Sequence, residues 1–206
     1  MKLYISKYAP NPRRVSIFAA EKGIALDTVV VDLFNGEIRT PEFLAKSPFG
    51  RVPVLELDDG RTLSETRAIC TYLEGIKPEP NLMGEGYEER AWIEMADRQM
   101  EFYLFLPIAL GLRHTHPALA PLEQPQFADY GKSQGEKMLA TARWLDGVLA
   151  KQPYVAGERY TIADITAFCG LEFARGMLKF NAGEAGLAHL QAWRDRIAAR
   201  PTVGKP

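Results

Sequence analysis

The sequence predicts a small α/β layer followed by an all-helical bundle, and three observations lead there. In the first 77 residues short apolar strands alternate with a periodic helix, then close on a hairpin and a second helix, an order that builds a sheet covered by helices. The pattern breaks at Lys77-Pro78-Glu79-Pro80-Asn81, where two prolines interrupt any regular element. Beyond that break no segment alternates as a strand does, and apolar residues recur at helical spacing. The expected division is residues 1–77, a linker over 78–86, and a helical domain over 87–206.

Residues 2–6 read as the first strand. Asn11 is a favoured N-cap and Pro12 a favoured first helical residue for a helix carrying Val15, Ile17, Phe18 and Ala19, which Gly23 ends. Residues 28–31 form a continuous apolar run suited to a buried parallel strand. Residues 54–57 and Thr62-Leu63 flank Asp58-Asp59-Gly60, a hairpin signal. Strand, helix, strand, hairpin and helix is a thioredoxin-like order. After the linker, a long helix spans residues 87–112, with Trp92, Met95, Phe102 and Leu106 among its apolar positions and a kink expected at Pro107. Another covers 127–149. Thr161 and Asp164 have capping-box spacing, with Asp in place of Glu, ahead of an almost wholly apolar helix expected at the centre of the second domain. A last amphipathic helix shows Leu187, Leu190, Trp193 and Ile197 and stops before Pro201.

Composition narrows the function classes. With 206 residues and 47% hydrophobic content, the chain can bury a substantial core. Its 25 basic and 26 acidic residues are spread without a basic, aromatic-interleaved stripe, which argues against nucleic acid. There is no apolar run of about 18 residues, and Met1-Lys2 leads into Leu3-Tyr4-Ile5 without a signal-peptide pattern. No membrane partner is expected, and a cytoplasmic location is. Cys70 and Cys169 lie far apart within apolar helical patterns and read as buried thiols, outside any Cys-x-x-Cys pair. Thiol chemistry would therefore arrive with a ligand. Three histidines without a neighbouring cysteine or carboxylate cluster argue against zinc.

Residues 49–73 carry the functional signal. Val52-Pro53 opens a strand where proline cannot donate to the ladder and holds its predecessor extended, leaving the Val52 backbone for an extended peptide. Ser64-Glu65-Thr66 then opens a helix, gathering a carboxylate, a hydroxyl and backbone N–H groups. Such a site suits a small molecule bearing both ammonium and carboxylate.

Val52-Pro53 with Ser64-Glu65-Thr66, together with the Gly157 to Asp164 segment, resembles the glutathione S-transferases over nearly the whole chain. Asn11-Pro12-Arg13-Arg14-Val15 resembles bacterial and fungal branches without an obvious catalytic tyrosine. The resemblance implies a thioredoxin-like first domain, a helical second domain forming the electrophile pocket, glutathione as co-substrate, a role in detoxification, and a homodimer with Arg67 and the Arg98 region at its interface. It places the Val52 backbone on the cysteinyl residue of glutathione, with Pro53 keeping that edge open. Glu65 and Thr66 then hold the γ-glutamyl end, and Arg51 and Arg39 the glycyl carboxylate. Ala109, Arg113 and His116 would face the electrophile, in a cleft beside the long helix and the helix after Asp164.

Family chemistry requires the thiolate. A thiol titrates near ~8.5, and lowering that by about two units takes roughly 2.7 kcal/mol. A helix N-terminus supplies about 0.3–1 kcal/mol, and about 2 at most. An aimed hydrogen bond adds roughly 1.5–3 kcal/mol, so one donor is needed. Ser6, Tyr8 and Asn11 stand in the first strand-to-helix turn, while the position of a serine-type hydroxyl falls on Ala9. Asn11 is preferred to Tyr8, and Tyr8 to Ser6, although a plain N-cap competes for the Asn11 side chain. His114 could hold an activating water beside Arg113, or serve only to complement a helix dipole. Two rivals stand: a glutathione-fold binding module without catalysis, which Ala9 favours, and a glutathione-dependent peroxidase or disulfide reductase.

Overall fold

In the computed structural model, which describes residues 1–7 and 9–204, four strands form one sheet in the order β2-β1-β3-β4. They are β1 (Lys2–Ile5), β2 (Asp27–Val30), β3 (Val54–Glu56) and β4 (Thr62–Ser64). β1 and β2 are parallel, and the crossover that such a pair requires is α1 (Pro10–Glu21). β3 runs antiparallel to both β1 and β4, the latter across the Asp58-Asp59-Gly60 turn. A short α2 (Pro41–Leu44) precedes β3, and α3 (Thr66–Ile76) follows β4. On one face Val31, Ile38, Phe43 and Val54 pack with Tyr4, Leu33 and Val52. Leu3 and Leu55, paired across the ladder, are buried on the other.

Two expectations fail in this unit. β2 is an edge strand rather than a buried one: Asp27, Thr28 and Val30 are exposed, and only Val31, just past its end, is fully covered. An apolar run cannot distinguish an edge from an interior position, because the sheet's last neighbour is decided elsewhere. Asn11 is not the N-cap of α1. Pro10 is already the first helical residue, Ala9 takes the cap position, and Asn11 and Pro12 fall in the first turn. Gly23 does end the helix, at φ +60°, with Ile24 N–H bonded to Ala19 O and Gly23 N–H to Ala20 O. Beside it Lys22 is wholly buried, donating to the Pro78 and Pro80 carbonyls and pairing with Glu74, so the proline-rich segment is tied to α1. Lys46 and the Tyr4 hydroxyl both donate to Glu56 Oε2, at 2.5 and 2.7 Å, and hold that carboxyl down to about 2.

The compact units are Met1–Asn81 and Leu82–Pro206. The second contains α4 (Gly86–Gln99), a π-helical turn (Met100–Phe105), α5 (Leu106–Thr115), a 3-10 turn (Pro117–Leu122), α6 (Ala128–Leu149), α7 (Ile162–Leu178) and α8 (Ala188–Ala198). The disturbance expected at Pro107 lies one turn earlier. Proline at helix position i cannot bond the carbonyl at i−4 and clashes with it. Here that carbonyl belongs to Tyr103, within the widened π turn, and Thr141 Oγ1 of α6 donates to it at 2.8 Å. The helix then continues to Thr115. Trp92, Met95, Phe102 and Leu106 are exposed, while Ile93, Ala96, Met100, Leu104, Phe105 and Ile108 are buried. Apolar residues stand on two faces of this stretch, and periodicity alone does not choose which one is buried.

α7 is the centre of this unit, with residues 162–171 all buried. Its capping box is complete. Asp164 Oδ2 accepts from Thr161 N–H and Oγ1, Oδ1 accepts from Val155 N–H and Trp193 Nε1, and Thr161 Oγ1 accepts from Ala163 N–H. Burial pushes the Asp164 carboxyl up to about 6 against those hydrogen bonds. Cys70 and Cys169 are buried and form no disulfide with each other. Among the described residues no helix is long and apolar enough to cross a membrane. The thioredoxin-like sheet domain and the all-helical domain expected from the sequence are both found.

Candidate functional site

Strand register assembles the site. β1 and β3 pair Tyr4 with Val54, so continuing that register puts Ser6 level with Val52. β3 and β4 pair Val54 with Ser64, which sets Glu65 level with Pro53 and Thr66 level with Val52. Segments some 60 residues apart in the chain therefore converge at one end of the sheet, where β1 also hands over to α1.

At this end the backbone departs from regular geometry. The Val52–Pro53 bond is cis, and among the described residues no hydrogen bond engages the Val52 backbone. Glu65, the N-cap of α3, sits at φ +70° and ψ +117°, a conformation L-residues avoid at a cost of about 1–3 kcal/mol. Its exposed carboxylate does not cap its own helix. Thr66, the first residue of α3, is buried. A helix whose cap side chain turns away leaves its first N–H groups to bind an anion.

The start of α1 is thinned to a single residue. Pro10 and Pro12 lack N–H groups, and Ala9 N–H is taken by Ser6 O at 3.2 Å. Asn11 is left with the one backbone donor of this first turn that has no partner among the described residues. Its side-chain Oδ1 accepts from Arg14 Nη1 at 3.0 Å. Ser6 is buried and uses its carbonyl on Ala9. Tyr8 lies outside the described residues.

Arg39 and Arg51 are exposed. A Cβ at Gly50, where φ is +58°, would stand 3.4 Å from Arg39 Nη1 and 2.7 Å from Ile38 O, so glycine lets the Arg39 side chain run beside the Gly50-Arg51 backbone. Sequence reasoning missed the residue that fixes this loop. Ser47, buried, accepts from Arg51 N–H at 3.0 Å and donates to Arg51 O at 2.9 Å. Nothing in an isolated serine four residues ahead of an arginine announces that role. Arg14 was missed likewise, since a helical arginine is usually solvated, yet it is 1% exposed.

In the second unit, Ala109, Arg113 and His116 recur at helical spacing and are half-buried. Arg113 Nη1 donates to Leu122 O and pairs with Glu123, and His116 Nδ1 accepts from Ala118 N–H. His114 is buried, stands edge-on to Tyr130, and its Nδ1 accepts from Phe127 N–H at 3.1 Å. Its Nε2 lies 3.9 Å from Glu123 Oε1. These side chains also hold the connection from α5 to α6, a use the sequence did not reveal. A cavity of about 550 Å³ near the start of α4, lined by Glu85, Glu88, Trp92 and Glu158 among others, includes none of the expected site residues.

Comparison with known proteins agrees with this architecture. Residues 8–76 match the family described as glutathione S-transferase, N-terminal domain, and residues 111–201 match glutathione S-transferase, C-terminal domain. Glutathione S-transferase 2 of Saccharomyces cerevisiae is 38% identical over 208 residues, covering 100% of this chain and 88% of the relative. Glutathione S-transferase F10 of Arabidopsis thaliana is 33% identical, covering 96% of this chain and 94% of its own length. Among solved structures, a glutathione S-transferase domain-containing protein of Marinobacter aquaeolei VT8 has a TM-score of 0.93 at 42% identity, with 98% of this chain and 100% of the other covered. Gtt2 of Saccharomyces cerevisiae also reaches 0.93, at 37% identity and 99% coverage of both chains. A thioredoxin-like sheet domain and an all-helical domain thus come with full-length sequence similarity. The chain belongs to the glutathione S-transferase family, enzymes whose co-substrate is glutathione.

Proposed function

We propose that this chain binds glutathione at the shared end of β1, β3 and β4 and activates its thiol with Asn11 for attack on a small hydrophobic electrophile. The observation that carries the reading is the thinned first turn of α1, where among the described residues Asn11 alone offers a backbone N–H without a partner. In this reading the Val52 backbone pairs with the cysteinyl residue, which brings the sulfur to the level of Ser6 and the start of α1. Glu65 takes the ammonium. The Thr66 hydroxyl and the first N–H groups of α3 take the γ-glutamyl carboxylate. Arg51 meets the glycyl carboxylate from the loop that Ser47 fixes, and Arg39 from the 3-10 turn ahead of α2. The sulfur then faces the Asn11 backbone N–H and its carboxamide, two donors where the energetics ask for at least one aimed donor.

His114 enters this reading through Nε2, the nitrogen that Phe127 does not engage, as holder of a water. The half-buried Ala109 and Arg113 of α5, with His116 just past its end, form the surface assigned to the electrophile. A homodimer is supported by Trp92, Met95, Phe102 and Leu106, which are 59%, 44%, 52% and 42% exposed and form an apolar face that a second copy would cover. Family resemblance favours a cytoplasmic enzyme acting in detoxification.

The test is an ultraviolet titration of bound glutathione, following thiolate absorbance in wild type, Asn11→Ala and His114→Ala. A thiol pKa well below that of free glutathione, raised by about one unit in Asn11→Ala, is the expected result. An unshifted pKa with tight binding, and no turnover of any electrophile, would mean a binding module instead.

A further inference from the structure

We propose that Arg14 is a positioning residue that sets the orientation of the Asn11 carboxamide, an inference that rests on Asn11 being the thiol-facing donor. Arg14 stands one helical turn after Asn11, is 1% exposed, and places Nη1 3.0 Å from the Asn11 side chain. A carboxamide has an accepting end and a donating end that differ little in shape, so a binding site must enforce which one faces the ligand. Guanidinium has five N–H donors and no acceptor. The end of Asn11 that meets it must be Oδ1, and the Nδ2 hydrogens are thereby directed away from Arg14.

The consequence is chemical. A thiolate is stabilised by N–H groups and repelled by a carbonyl oxygen, so an asparagine free to flip would spend part of its time opposing ionisation. Arg14 removes the wrong orientation. Its positive charge also polarises the carboxamide through Oδ1, making the Nδ2 hydrogens better donors. Asn11 and Arg14 share a helix at a spacing of three residues, which brings their side chains within reach of each other. Burial holds the guanidinium in place. No step of bond making is assigned to Arg14 itself.

The experiment is the same thiolate titration in Asn11→Ala, Arg14→Met and the double variant. Each single substitution is expected to raise the thiol pKa by about one unit, from about 6.5 to about 7.5, a loss of thiolate of roughly threefold at neutral pH. The double variant is expected to match Asn11→Ala alone, because Arg14 acts only through that carboxamide. If Asn11→Ala raises the pKa and Arg14→Met does not, the positioning role is overturned while Asn11 stands. If the two effects add, Arg14 acts on the sulfur through its own charge, and the proposal again fails. No response to Asn11→Ala removes the carboxamide as a thiol-facing donor and this inference with it, while the Asn11 backbone N–H, which alanine keeps, is left in place. Should Arg14→Met not fold, relaxation of the Asn11 side-chain ¹⁵N–H₂ group in the wild-type protein decides. A rigid group, with an order parameter near ~0.85, supports the proposal, and a value below about 0.6 overturns it.

Discussion

The N-termini of α1 and α7 solve the same problem in opposite ways. Any helix begins with N–H groups that lack internal partners. At α7 these needs are met from within: Thr161 caps Ala163 N–H, and Asp164, with no exposed surface, gathers donors from Thr161, Val155 and Trp193. At α1 two prolines delete donors, no side chain caps the helix, and the remaining N–H sits on a half-buried asparagine. A closed N-terminus holds a fold together, whereas an open one with its donors reduced to a chosen residue is suited to an outside anion. α3 belongs with α1, since its N-cap Glu65 is held at a strained φ and leaves its own helix uncapped.

The sharpest break in this comparison is expected at Asp164. Asp164→Ala strands buried donors on three residues and should cost about 3 kcal/mol or more, read as a lower urea midpoint for the second unit. Thiol pKa should stay unchanged in the fraction that folds. Glu65→Ala with Thr66→Ala should do the reverse, weakening glutathione by about 2 kcal/mol, or roughly 30-fold in Kd by calorimetry, with little change in melting temperature. Unchanged affinity would remove both residues from the site. Glu65→Gly separates the two kinds of N-terminus further. It should stabilise the fold by about 1 kcal/mol by relieving the positive φ while still weakening binding, so one substitution moves stability and affinity in opposite directions.

Acid titration gives a smaller contrast. Glu56 is held down to about 2 by Lys46 and then Tyr4, so its contribution to stability is present above its unfolded value near 4.5 and is lost as pH falls through about 2. Asp164 has the opposite sign. Its carboxyl is raised to about 6 by burial, so the native state holds the proton more tightly, and that contribution is complete below about 4 and lost as pH rises through about 6. Glu56→Gln should lower stability by about 1 kcal/mol above pH 5 and by progressively less towards pH 2, measurable as a converging pair of urea curves.

Much of this was legible in the residues. Val52-Pro53, Asp58-Asp59-Gly60, Ser64-Glu65-Thr66 and the Thr161 to Asp164 box are local signals, each read within a few positions. Features set by neighbours distant in sequence were not legible. The apolar run ending at Val31 became an edge strand because, among the described residues, β1 is its one strand neighbour in the sheet. Trp92, Met95, Phe102 and Leu106 turned outward because Ile93, Met100, Leu104 and Ile108 won the packing. Asn11 lost the cap position to Ala9, since Pro10 itself begins the helix.

By itself the sequence determined the two-domain fold class, the hairpin and the capping box, because those depend on backbone chemistry over short spans. Only the tertiary structure decided that β1, β3 and β4 end together, with Tyr4 paired to Val54 and Val54 to Ser64, that Ser47 clamps the loop before Val52, and that Arg14 bonds Asn11. Register joins residues far apart in the chain. Burial gives an arginine or a serine its partner, and no spacing in the sequence encodes either.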